Sequence, residues 1–298
     1  MFNCPAFGGA PEYPKMPAVH IRRPAPAFVF VALLIGCGEA AAQTPPATAA
    51  AEPPPAAAPR PRVGYLPPGA APDILRVLAP PPSEGDIRDA ADLAVFRSTR
   101  RLEGSPRWAL ALRDNQLGTT TLLQTFSCAL DAAITPADAP ALVRLLSQAG
   151  VDAGVSSASG KNAWKRKRPY EREAGPVCLA PSDTERLARA SSDYPSGHAT
   201  AGWMAGRLLA EVAPDRATEI LERARKFGES RVVCGVHHVT AVEAGFMTAE
   251  SVLAALHGVP AFRTDLDAAR EEMSRLRSTK PNSQVCAADA AALAERPY

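Results

Sequence analysis

The stretch Asp193-Tyr194-Pro195-Ser196-Gly197-His198-Ala199-Thr200 couples a turn to the start of a helix. Pro195 is stiff and restricts the residue before it, and Gly197 lets backbone approach a ligand closely. Ala199, Trp203, Met204, Leu208, Leu209 and Val212 then recur at helical spacing, which predicts a helix beginning here. A helix N-terminus presents unpaired N–H groups and a positive dipole end, and both favour an anion. Ser196 adds a hydroxyl, and His198 adds a group that exchanges a proton near neutral pH. Taken alone, the stretch fits a capped helix with an incidental histidine equally well.

Two other stretches weigh against the incidental reading. In Gly160-Lys161-Asn162-Ala163-Trp164-Lys165-Arg166-Lys167-Arg168-Pro169-Tyr170, a helix running through would put Lys161 and Arg168 on one face, with Pro169 as its stop. Two such cations can clamp a phosphate, Arg168 by its planar fork and Lys161 as a point charge. Lys165, Arg166 and Lys167 read as a solvated basic face. The third stretch, residues 229–243, sets Arg231 and His237 close along a helix that runs on through Leu256.

A chain of 298 residues, 46% hydrophobic, can build one substantial core. A net charge of +2 and 6% aromatics argue against a nucleic-acid partner. The motifs hold neither zinc-type Cys/His spacing nor a carboxylate cluster, so they give no pointer to a metal or cofactor. Residues 1–42 read as an export signal: His20-Ile21-Arg22-Arg23 is basic, and residues 25–36 are apolar but too short to span a bilayer. Ala40-Ala41-Ala42 suits ordinary cleavage, whereas Leu34-Ile35-Gly36-Cys37 resembles a lipobox that would lipidate Cys37. Residues 43–72 are a Pro/Ala-rich linker.

Helical patterning begins at residue 73 and recurs over 73–78, 86–103, 108–113, 117–130, 140–159 and 214–227. In the second of these, Ile87, Ala90, Ala91, Ala94 and Val95 form the expected inward face; residues 171–192 read as a polar loop. No run of alternating β-branched residues occurs, so the fold class is all-α, a helical bundle over residues 73–276 with a polar tail over 277–298. Removing the leader leaves Cys128, Cys178, Cys234 and Cys286, which allow three pairings. Cys178 is expected to be bridged, Cys234 reads as a small buried packing residue, and Cys286 either fastens the tail or lies in a loose one.

In chain order the three stretches spell Lys-x6-Arg-Pro, Pro-Ser-Gly-His and Ser-Arg-x5-His. That order resembles the phosphatidic-acid-phosphatase type 2 and vanadium haloperoxidase superfamily, and within it the bacterial class A non-specific acid phosphatases, over about residues 75–275. Leu78-Ala79-Pro80-Pro81-Pro82 and Ser230-Arg231-Val232-Val233-Cys234-Gly235 belong to the likeness. The resemblance implies a periplasmic or secreted, metal-independent phosphomonoesterase acting on small phosphate esters, with no transmembrane span in the mature chain. It further implies that His237 is the nucleophile forming a phosphohistidine and His198 the acid and base. Lys161, Arg168, Ser196, Gly197 and Arg231 would bind phosphate. The same clamp can hold vanadate, so a vanadate-dependent oxidant is a further reading.

This chain departs from the pattern at one place. The family continues His-x3-Asp, whose carboxylate bonds the nucleophilic histidine, and Ala241 stands there. Thr240 offers only a neutral hydroxyl, and Glu243 would point elsewhere on a helix. By analogy with a serine triad deprived of its orienting carboxylate, the rate would fall by up to about 10⁴-fold. A weakened enzyme follows, or at the limit a phosphate-binding protein without turnover.

Overall fold

The computed structural model describes residues 63–276 and 279–298, so the expected export signal, Cys37 and the linker up to residue 62 lie outside it. The fold is all-α, and among the described residues no strand occurs. A single turn, α1 (Ile74–Val77), is capped by the Asp73 carboxylate. Beyond the three prolines, Asp86 caps α2 (Ile87–Thr99). Ser105 and a proline in the first turn start α3 (Pro106–Arg113). Next come α4 (Thr119–Leu130) and α5 (Pro140–Trp164), which ends at Lys165 in the left-handed conformation. They are followed by α6 (Pro181–Ala190), α7 (Gly197–Val212), α8 (Ala217–Val233), α9 (Val239–Leu256), α10 (Pro260–Leu276) and α11 (Ser283–Ala294).

At the centre, α7 packs on α5, α8 and α9. Leu145, Leu208, Phe227 and Val252 are among the fully buried residues of the main core. The short connection from α7 to α8 makes them antiparallel neighbours, so the start of α7 lies beside the end of α8. Two glycines let these helices approach closely. A Cβ on Gly206 would sit 2.4 Å from the Ala224 Cβ, and one on Gly202 would overlap the Phe227 ring. The start of α9 joins the same end of the bundle, because the Ser196 N–H donates to the Ala241 carbonyl at 2.8 Å. Among the described residues only α9 is long and apolar enough to cross a membrane, and here Ala241, Val242, Val252, Leu253 and Leu256 are buried inside the domain.

Several expectations need correction. On α2 most of the expected inward face is exposed, Ile87 at 86% and Ala90, Ala91 and Ala94 with it; only Val95 packs inward, against Ala199, Val232 and Val242, and the buried residues are Asp89, Asp92, Phe96 and Thr99. The two carboxylates face inward because arginines from elsewhere in the chain meet them there. Residues 171–192 are not all loop, since they contain α6. The expected linker ends earlier than residue 72: the Tyr65 N–H donates to Asp152 at 2.8 Å and its hydroxyl to Asp265 at 2.7 Å. Of the two alternatives for the tail, the fastened one holds: the tail carries α11, and Cys286 is bridged to Cys128. Cys234 is not a free packing residue but pairs with Cys178.

Replacing Gly206→Ala tests the close approach of α7 and α8. Alanine is the better helix former, yet here its methyl meets another Cβ rather than a side chain that can swing away. Thermal or denaturant unfolding is expected to show a loss of about 1–3 kcal/mol, and a gain in stability would contradict this packing.

Candidate active site

Helix ends and the loops that join them build the site. Ser196 caps α7, its hydroxyl accepting from the Ala199 N–H at 3.3 Å. As first residues of the helix, Gly197 and His198 have no intrahelical acceptor for their N–H groups. Gly197 lies close against α5: a Cβ there would sit 3.3 Å from the Ser157 hydroxyl, a tight contact, and 3.7 Å from the Lys161 stem. At the far end of α8, Arg100 donates to the Val232 and Val233 carbonyls, and Gly235 turns the chain in the left-handed region with φ +79°. The Cys178–Cys234 bridge ties that turn to the loop before α6.

Lys161 and Arg168 do meet, but not on one helical face. The helix stops at Trp164, and Arg168 opens a short 3-10 turn beyond it. Both reach the same carbonyl: Lys161 donates to Ser192 O at 2.5 Å and Arg168 Nη2 to it at 3.3 Å. Arg168 also donates to Ser191 O, to Val236 O and, at 3.0 Å, to His237 Nε2. Arg231 is only 1% exposed and gives one bond, from Nη2 to Asn115 Oδ1 at 2.7 Å. Its Nε and Nη1 are buried with no partner. Unpaired donors on a buried cation are costly unless an anion completes them.

Nor does His237 lie on the helix that runs through Leu256. It precedes α9, whose N-cap is His238. Its Nδ1 lies 2.9 Å from Asp193 Oδ1, and the second oxygen, Oδ2, lies 2.8 Å from His238 Nδ1. An ionised carboxylate can only accept and a guanidinium can only donate. The His237 proton therefore sits on Nδ1, and the lone pair is on Nε2, beside Arg168. By the same reasoning His198 donates from Nε2 to the Asn115 carbonyl at 3.0 Å, which leaves its lone pair on Nδ1.

The PAP2 superfamily model matches residues 141–265. The chain is 41% identical over 216 residues to an acid phosphatase of Zymomonas mobilis subsp. mobilis, covering 72% of this chain and 81% of that protein. It is 34% identical over 219 residues to a non-specific acid phosphatase of Providencia stuartii, covering 73% and 88% respectively. Another non-specific acid phosphatase, from Salmonella typhimurium, is 34% identical over 198 residues, covering 66% and 78%. The chain belongs to the PAP2 superfamily.

In this PAP2 site four residues matter that the motif reading passed over. Asp193 was read only as part of a turn. Asn115 joins His198 to Arg231 from the loop after α3, with no local pattern to announce it. Arg166 is not on a solvated face: its side chain is 6% exposed, and it pairs with Asp89, Asp92 and, at 3.4 Å, Asp193. His238 holds Asp193 by both its ring and its backbone N–H. Ser230 is also buried, donating to Asp114 and accepting from Arg107, which fixes the segment that carries Arg231. Among the described residues there is no cluster of His, Cys, Asp and Glu able to hold a metal ion.

Electrostatics tie the groups into one site. Burial, with Arg231, Arg168 and Lys161 nearby, lowers the His198 pKa to about 3. Burial and Arg168 hold His237 well below its ordinary value despite Asp193, so both imidazoles are neutral in the free site. Burial and Arg168 bring Lys161 down to about 7, and burial and Arg168 bring Arg231 down to about 9. Burial pushes Asp193 up, but the bonds from His237 and His238 outweigh it and hold the carboxyl well below the usual range.

An imidazole depressed by folding binds its proton more readily in the unfolded chain. Below an unfolded value of about 6.5 the unfolded state gains protons that the folded one refuses, so stability falls with pH. In phosphate-free buffer the melting temperature is expected to drop between pH 7 and pH 5, and a rise over that range would contradict the assignment of neutral His198 and His237.

Proposed function

We propose that this chain is an exported, metal-independent acid phosphatase that hydrolyses small phosphomonoesters through a phosphohistidine at His237. The observation that carries this reading is Arg231, a buried cation with two side-chain nitrogens lacking partners, close enough to Arg168 to feel its charge and, with Arg168 and Lys161, acting on His198 at the start of α7. In this reading a guanidinium, an ammonium, the Ser196 hydroxyl and the Gly197 N–H would supply the donors. A tetrahedral oxyanion matches that set, and fixed donors stabilise the charge spread over its equatorial oxygens in the transition state. The relatives named acid phosphatase point the same way.

In the first step the His237 Nε2 lone pair forms the bond to phosphorus and the ester P–O bond breaks. The leaving oxygen takes a proton from His198 Nδ1. In the second step His198 takes a proton from water, hydroxide attacks phosphorus, and the N–P bond returns its pair to His237. Burial and the field of Arg231, Arg168 and Lys161 keep His198 neutral in the free site; the entering anion offsets that field and so raises the proton affinity of His198 in the complex. Ala241 does not leave His237 without a carboxylate, because Asp193 lies within hydrogen-bond distance. An enzyme is therefore favoured over a phosphate binder without turnover. The two disulfides fit a periplasmic or secreted location, in keeping with residues 1–42.

Hydrolysis of an aryl phosphate, measured from pH 4 to 8 with and without chelator, tests the reading. Lys161 is charged below about 7 and neutral above it, so kcat/KM should fall as pH rises through that value. Lys161→Gln should flatten that limb, and chelator should change nothing. His237→Ala should lower kcat by about 10³-fold or more; retained activity in that variant, or loss with chelator, would refute the proposal.

A further inference from the structure

We propose that Asp193 is the positioning residue that orients His237, filling from the turn before α7 the part that the family pattern assigns to the position of Ala241. The inference rests on the phosphatase reading above and adds to it a residue forty-four positions away from the histidine it serves.

The carboxylate is itself fixed at both oxygens. Oδ1 receives His237 Nδ1 at 2.9 Å and the His238 N–H at 3.3 Å. Oδ2 receives His238 Nδ1 at 2.8 Å and Arg166 Nη1 at 3.4 Å. The Asp193 N–H donates to the Arg166 carbonyl at 2.8 Å, so the backbone is held as well. Asp193 is completely buried and His237 is 3% exposed, so no water competes for this bond. Ala241, by contrast, packs with Ile74, Leu78, Tyr194 and Ala244 in an apolar cluster. Alanine suits that cluster, and the charge that His237 needs comes from the other side.

The chemistry follows from the tautomer. Asp193 accepts, so His237 must carry its proton on Nδ1 and present the Nε2 pair to phosphorus. As the N–P bond forms, the ring gains positive charge, and the fixed carboxylate 2.9 Å away stabilises it. No proton passes to Asp193, just as the aspartate of a serine triad stays ionised. A further imidazole, His238, holds Asp193 through its Nδ1 and its backbone N–H.

Asp193→Asn is the decisive variant. It keeps the shape but offers an amide N–H to Nδ1, which favours the wrong tautomer. Active-site-normalised kcat on an aryl phosphate is expected to fall about 10³- to 10⁴-fold, while KM and inhibition by inorganic phosphate stay within about threefold because the cations are untouched. A kcat within threefold of the natural chain would overturn the inference, as would a fall in kcat matched by an equal loss of phosphate inhibition. His237→Ala run alongside separates the two claims, since activity surviving in that variant would instead sink the phosphatase reading. Ala241→Asp in the otherwise natural chain decides the matter should the asparagine variant not fold. No gain is expected because His237 Nδ1 is already taken, and a tenfold gain or more would show that the position at 241 was the one left wanting.

Discussion

An ionised carboxylate with no exposed surface is the constraint on which this structure depends. Asp193 can stay charged in the interior only if its oxygens are fully met, and His237, His238 and Arg166 meet them. Arg166 is buried in turn and needs counter-charges, which explains why α2 turns Asp89 and Asp92 inward rather than its alanines. Arg172 completes Asp89, and Thr240 bridges Arg166 to Asp92. One chain of compensation thus links α2, the segment after α5, the turn before α7 and the start of α9. Removing one member of such a network leaves a buried charge unpaired, typically at about 3–5 kcal/mol, so the network fixes geometry even where it adds little net stability.

The opposite wall works by a different rule. There Arg107, Asp114, Ser230 and Arg223 satisfy one another and hold the end of α8 in place. Arg231 extends from that frame with two donors unused, whereas Arg168 is anchored by the carbonyls of Ser191, Ser192 and Val236. Asn115 locks Arg231 and His198 to the same short loop. A cationic cleft preorganised in this way has already met the cost of orienting its dipoles before any anion arrives. Neutral imidazoles and a lysine brought down toward neutrality are the consequence of burial first, with the crowded positive charge adding to it.

What the sequence made legible was local. Helical spacing reports burial over a few turns, so the all-α class and α5, α7, α8 and α9 could be read directly. The three motifs could be read because each is short and carries its own spacing. Contacts between them could not be read that way. Asp193 and His237 lie far apart in the chain, and no periodicity couples them. Spacing alone sets His237 on the helix that carries Ala241, but the chain turns at Gly235 and that helix begins only after His238. Arg166 looked like one more residue in a basic run, because charge in sequence does not reveal whether partners wait in the interior. On α2 the reading failed for the same reason in reverse: carboxylates were placed outward by default.

A crystal of the protein soaked with orthovanadate would test the central claim most directly. The account predicts vanadium bonded to His237 Nε2, its equatorial oxygens within hydrogen-bond distance of Lys161, Arg168, Arg231 and the Gly197 N–H, and Asp193 still on His237 Nδ1. An anion bound elsewhere, or held by those cations with His237 turned away from it, would contradict it.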